Sequence, residues 1–272
     1  MPSIRNPTRR NRNIGTTKSG QGQDNELVIS QSWNDSRFFW EKLTSYQVVK
    51  RDILRTPIKI LVEKTRKGYF HACTPDDITS IFEMIPEADS RELQLIVLRQ
   101  PKVKEEILRP VWGRLAYYAE IDLHKGPTIF LDALDPNKSL RWSKSLSIEG
   151  SLDLARLKVD GHSIVTDKRY HRVELTIDSI RARQLYRTMF HEVGHWVDYQ
   201  KSVRIPIENG GNLESLHEKY DRKLGIEKEA FANNYADELR KKLMANEMIP
   251  FDRKLDEESL RKDQLRMEDF VI

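Results

Sequence analysis

Cysteine is all but missing: Cys73 stands alone in 272 residues. One thiol makes no internal disulfide, and it rules out zinc modules built on several cysteines. Any zinc site in this chain has to be assembled from histidine and carboxylate. Also missing is an apolar run near the ~18 residues a membrane-spanning helix needs, and the mean hydropathy is −0.65. No short apolar segment follows the start, so no secretory leader is expected and the reading is a cytoplasmic protein. There is no internal repeat. Acid is missing from residues 1–20, which carry Arg5, Arg9, Arg10, Arg12 and Lys18. The other 252 residues hold 41 basic and 42 acidic side chains, so the net charge of +4 belongs to the tail. Residues 1–30, rich in Asn, Arg, Gly, Ser and Gln, read as a disordered basic tail, able to touch nucleic acid through phosphates.

What is present reads as strands followed by helices. Phe38, Leu43 and Val48 predict a helix over 34–52, capped by Asn34 or Asp35. IKILVEK (58–64) and YFHACT (69–74) read as a hairpin. TPDDITSIFEMIP (74–86) is a short helix: Thr74 caps it, Pro75 opens it, Asp76 and Asp77 face its dipole, and Pro86 ends it. LQLIVLR (93–99) suits an interior strand, followed by strands in VWGRLAYYAEI (111–121) and PTIFLDAL (127–134). SLDLARLKVDG (151–161) is helical, and SIVTDKRYHRVELTI (163–177) is a hairpin turning at Asp167-Lys168. Helices follow from 178, with RIPIENGGN (204–212) as a loop between the first two; the charge-dense last segment reads as a solvated helix whose apolar end docks on this or another chain. The expected fold is α+β, its sheet twisted and mostly antiparallel within 31–177, with a helical part over 178–272 and all of 31–272 as one unit.

Residues 188–200 read TMFHEVGHWVDYQ. Their helix is expected to start near Asp178-Ser179 and run to about 200. At about 100° per residue, Tyr186, Met189, Phe190, Val193 and Val197 gather on one apolar face. His191 and His195 stand one turn apart. Their side continues back through the polar Thr188, Arg187 and Gln184, as on a helix lining a wet cleft. Two imidazoles so placed reach one zinc ion at roughly 2 Å. Glu192 lies beside His191, where its carboxylate reaches a zinc-bound water without ligating. Zinc lowers the pKa of that water toward about 7, and Glu192 takes the proton as general base and passes it to the leaving amine.

A third ligand decides the matter. A metzincin would continue with Gly at 198 and His at 201; Asp198 and Lys201 stand there and exclude that class. The helix IEKEAFANNYADELRKKLM (226–244) supplies the alternative. Phe231, Tyr235, Leu239 and Leu243 form a core stripe, while Ala230, Ala232 and Ala236 allow close approach. Glu229 and Asn233 share a neighbouring face. Glu229 is the expected ligand, and Asn233 is placed to orient a histidine ring. Asp198, one turn past His195, either bonds a ligand histidine or caps local polar groups. Glu214, His217, Glu218 and Asp221 lie in the same window; Glu227 points about 200° from Glu229 and reads as solvated.

HExxH on one helix with a glutamate on the next resembles the gluzincin pattern of zincin-type zinc peptidases. HEVGHWVD (191–198) and EAFA (229–232) are similar to the H-E-x-G-H-x-V-D and E-x-F-A of lethal-factor-type catalytic domains. EAFANNYA is also similar to the second helix of ImmA/IrrE-type peptidases. The resemblance covers roughly residues 178–240 and implies a zincin-like fold. It also implies one zinc ion on His191, His195 and Glu229, with Glu192 as base. In the lethal-factor type a tyrosine shortly before the ligand glutamate stabilises the oxyanion; Arg222 stands at that position, which leaves Tyr220 and His217 as candidates. Trp112, Tyr117 and Tyr118 read instead as core and sheet surface, and His71, His124, His162 and His171 as structural or exposed.

The expected protein is therefore a zinc metalloendopeptidase acting on a protein or peptide substrate. That substrate would lie along an edge strand in PTIFLDA or HRVELTI. The rival is a regulator or sensor whose latent or structural zinc site works through protein or nucleic-acid binding. An intact Glu192 speaks against a purely structural metal, which needs no base.

Overall fold

The computed structural model describes residues 37–53, 56–103, 105 and 112–271. The basic tail and the expected cap at Asn34 or Asp35 lie outside them. Where a helix was expected over 34–52, a single 3₁₀ turn at Phe39–Glu41 is followed by strand β1 (Tyr46–Ile53). Val49 and Ile53 are buried four residues apart, a spacing that fits a helix face and a strand face equally. Their β-branching favours the strand. β1 pairs antiparallel with β2 (Thr56–Glu63), so β2 does not form the expected hairpin with 69–74. That stretch contributes one bridge, Phe70 to Leu134. It then caps α1 (Pro75–Met84) with a reciprocal box: Thr74 Oγ1 accepts from the Asp77 N–H at 3.0 Å, and the Asp77 carboxylate accepts from the Thr74 N–H at 3.1 Å.

After α2 (Glu87–Ser90) the chain returns as β3 (Leu95–Arg99), parallel to β2, and then forms the hairpin β4 (Gly113–Ile121) and β5 (His124–Asp132). The sheet order is β1-β2-β3-β5-β4, with β5 parallel to β3. A second sheet, β6-β8-β7, is built from β6 (Leu140–Ser143), β7 (Ile164–Thr166) and β8 (Tyr170–Val173), with α3 (Ile148–Val159) inserted after β6. The fold is α+β. The main sheet is mixed, and antiparallel pairings dominate only when the small sheet is included. Both expected edges are interior: β5 lies between β3 and β4, and β8 between β6 and β7. An apolar run such as TIFL suits a strand covered on both faces, which leaves the more polar β4 outermost.

Ile60, Ile96, Leu98, Ile129 and Leu131 face the helices, while Leu61, Leu95, Val97 and Phe130 face a second layer with Trp40 and Leu43. β4 switches phase on the way. Leu115 and Tyr117 pack on the helical side, but Ala119 and Ile121 on the other. A register shift between Ala116 and Ala119 marks a bulge that absorbs the extra residue.

The helical part begins with Thr176 capping α4 (Ile177–Arg183). A π-helical turn, Gln184–Thr188, leads into α5 (Met189–Tyr199). A second one, Gln200–Arg204, carries the helix on into α6 (Ile205–Glu208), so the expected loop at 204–212 is largely helical. α7 (Leu213–Asp221), α8 (Gly225–Ala245) and α9 (Glu257–Lys262) complete the fold. The C-terminal segment is more than a solvated helix: Phe270 is fully buried in this chain's own core. Residues Phe39–Ile272 form one compact unit, and no helix among the described residues is long and apolar enough to cross a membrane.

One buried anion ties these helices together. Asp160, just after α3, meets Arg183 at 3.1 Å, Arg187 at 2.9 Å and Arg240 at 3.1 Å. Replacing it with alanine strands the Arg240 guanidinium and leaves Arg183 and Arg187 with only Asp153 and Asp237. Asp160→Ala is therefore expected to cost about 3–5 kcal/mol in urea unfolding; a loss below about 1 kcal/mol, as for an exposed pair, would refute the anchoring role.

Candidate metal centre

The apolar residues of α5 and its preceding turn behave as their spacing implies: Tyr186, Met189, Phe190, Val193 and Val197 are all buried. This holds α5 against the sheet and turns His191 and His195 outward, both half-buried. The polar face does not extend backwards as a wet cleft. Gln184, Arg187 and Thr188 are buried. Gln184 Nε2 donates to the carbonyls of Trp112 and Asp132, and Arg187 pairs with Asp160 and Asp237. The π turn interrupts the 3.6-residue phase, so extrapolation from His191 fails there.

α8 crosses α5 at Gly194. A Cβ built on Gly194 would lie 2.9 Å from Ala232 Cα and 3.0 Å from its carbonyl oxygen. Glycine at this position, with Ala232 opposite, brings the first turn of α8 over the histidines. His191 Nε2 lies 3.1 Å from His195 Nε2. Glu229 reaches both, Oε2 to His191 at 3.3 Å and Oε1 to His195 at 3.4 Å. A tetrahedral zinc ion about 2.0–2.1 Å from its ligands separates any two of them by about 3.3 Å. The two imidazole nitrogens lie close to that separation, one atom from each of the three residues lies within 4.8 Å of the others, and two imidazoles with a carboxylate are a zinc-type donor set.

The electrostatics also favour a cation there. Hydrogen bonds from His191 and then His195 hold the Glu229 carboxyl well below the usual carboxylate range. Burial disfavours protonated His195, but bonding to Glu229 and the charge of Glu192 outweigh it and raise its pKa.

Glu192 is buried and points to β4, where Oε2 accepts the Leu115 N–H at 2.7 Å. Burial pushes its pKa up; the neighbouring His191 and His195 partly oppose this. It lies outside the three-residue group. Gly113, Arg114, Leu115, Tyr117, Lys228 and Gly225 share a cleft of about 380 Å³ with His191, Glu192, His195 and Glu229.

Tyr117 is the lining residue that the sequence reading passed over as sheet surface. The bulge aims it at α5, and its hydroxyl lies 2.8 Å from that of Tyr220. Burial raises the Tyr117 pKa to about 12, so it stays a proton donor. The alternation of GRLAYYAEI gave no warning, because a bulge leaves no residue signature in it. Tyr220 itself is buried behind Tyr117, with a longer contact of 3.5 Å to Asp198. His217 packs near the Tyr199 ring, and neither it nor Tyr220 lines the cleft. Asp198 takes the local role: both its oxygens accept from Lys223 Nζ at 2.7 Å. Asn233 is half-buried one turn beyond Glu229 and also stands off the cleft lining.

No protein-family model, curated protein or solved structure matches this chain.

In an exposed helix, glycine to alanine gains about 1 kcal/mol of helix propensity. Gly194→Ala has to push the α8 backbone away instead, so we expect a lower melting temperature and zinc binding weakened at least tenfold, as seen in chelator competition. Unchanged zinc affinity would separate the helix crossing from the site.

Proposed function

We propose that this protein is a zinc-dependent metallopeptidase. The observation that carries the reading is the convergence of His191, His195 and Glu229, one ligand atom from each within 4.8 Å of the others, with the buried Glu192 outside that group. The three ligand residues would hold the ion through Nε2, Nε2 and a carboxylate oxygen. Bound zinc polarises a carbonyl and brings the pKa of water toward about 7.

The chain's own residues do the rest. β4 is the outermost strand of the main sheet and forms one wall of the cleft, so an extended peptide can add to it by strand pairing. Glu192, fixed by the Leu115 N–H on that strand, sits where a water meets the scissile carbonyl. Its raised pKa suits a group that takes a proton from water and returns it to the departing amine. Tyr117 faces the same cleft and donates to the oxygen that becomes negative, with Tyr220 holding the Tyr117 hydroxyl in place. In this reading Tyr117 takes the role considered for Tyr220 and His217.

Purified protein with a peptide library tests the proposal. Glu192→Gln should keep its zinc and lose roughly 10²–10⁴-fold in hydrolysis. Glu229→Ala should lose zinc. Tyr117→Phe should lower kcat about 10²-fold with zinc retained, and Tyr220→Phe should lower it less. Full activity in Glu192→Gln, or stoichiometric zinc in Glu229→Ala, would overturn the reading.

A further inference from the structure

The small sheet, whose concavity shares no lining residue with the cleft at His191, carries a concentration of charge that its stability does not explain. Arg141 on β6 and Arg172 on β8 are Cα partners in the antiparallel register. Like charges directly opposite one another destabilise a strand pair. The turn between β7 and β8 adds Lys168 and Arg169, and all four cations are exposed around one shallow concavity of about 370 Å³.

Ion pairing does not discharge this face. None of the four pairs with a carboxylate among the described residues, whereas Arg51, Arg99, Arg181, Arg183, Arg187 and Arg204 all do. Asp167, the one acid in the concavity, accepts from the Arg169 and Tyr170 N–H groups at 2.7 Å each, and its single charge, acting on Arg172 and Arg141 from beyond ion-pair distance, offsets only one of the four cations. Tyr170 stands opposite Ser143 and two residues from Arg172, so it shares the sheet face of Arg141 and Arg172, with 43 % of its surface exposed. Outside the first 20 residues the chain is almost neutral overall, so this grouping is local.

Unpaired arginines around an exposed aromatic ring match one ligand chemistry best: a chain of phosphates that also offers flat bases. An acidic peptide would meet the cations but give the Tyr170 ring nothing to stack on. We propose that this face of the β6-β8-β7 sheet binds single-stranded nucleic acid, with Arg141, Arg172, Lys168 and Arg169 on phosphates and Tyr170 under a base. This site is separate from the metal centre and does not depend on the peptidase reading.

The test is fluorescence anisotropy of the full chain with labelled oligothymidylate over a salt titration. Arg5, Arg9, Arg10, Arg12 and Lys18 are replaced by glutamine throughout, to remove the charge of the tail. Arg141→Gln with Arg172→Gln should weaken binding at least tenfold. It should also lower the slope of log K against log salt by about 1.4, at ~0.7 for each phosphate on a single strand. Tyr170→Ala should weaken binding about tenfold and leave the salt slope unchanged, since stacking releases no counterions. Lys168→Gln with Arg169→Gln, in an exposed turn, repeats the charge test if the strand variant fails to fold. Binding unaffected by any of these changes overturns the proposal, as does binding abolished by the tail replacements alone. Tighter binding of a duplex, or displacement by polyglutamate as readily as by unlabelled oligonucleotide, overturns the choice of ligand.

Discussion

Gly194 lets α5 and α8 approach until a single methyl group would overlap the Ala232 backbone. The donor triangle depends on this contact. His191 and His195 need only the pitch of one helix to stand together, but Glu229 belongs to another helix, more than thirty residues along the chain. Its distance from the imidazoles is set by how closely two backbones can lie. A wider crossing would leave a pair of histidines and a solvated glutamate. The glycine inside HEVGH is therefore a packing residue that lets Glu229 approach the two histidines from the adjoining side of the helix.

The other side of α5 is held just as firmly, by buried polar groups. Asp160 gathers Arg183, Arg187 and Arg240 from α4, the turn before α5 and α8. Gln184 joins that turn to the carbonyls of Trp112 and Asp132 at the ends of β4 and β5. A buried aspartate with three arginines offers little net stability over an apolar core of the same shape. It does fix how the helices and the edge strand sit relative to one another. That relation matters because Glu192 bridges them, reaching from α5 to the Leu115 amide of β4.

Much of this was legible in the residues, and the failures have identifiable causes. α1 was readable because Thr74, Pro75 and Asp77 act on their own turn. The interior strand LIVLR was readable because burial on both faces needs an unbroken apolar run. β1 was misread because Phe38, Leu43 and Val48 were read as a helix face, whereas Phe38 and Val48 are exposed and the buried pair is Val49 and Ile53, on one face of a strand. The polar stretch Gln184–Thr188 was misread as a cleft wall because a π turn shifts the phase by one residue. Tyr117 was passed over because a bulge on β4 decides which way it faces.

The sequence alone determined which groups could take part: with one cysteine, a zinc site would have to come from histidine and carboxylate, and HEVGH placed two imidazoles and a carboxylate within about one helical turn. It also singled out Glu229, through the small residues beside it that permit close packing. Tertiary structure alone decided that β4 is the edge strand, that Tyr117 and not Tyr220 lines the cleft, and that Asp198 serves Lys223 and not a histidine. The division follows from range. Contacts within a helical turn are fixed by backbone geometry common to all sequences, whereas contacts between elements depend on register, bulges and crossing distance, which no local pattern encodes.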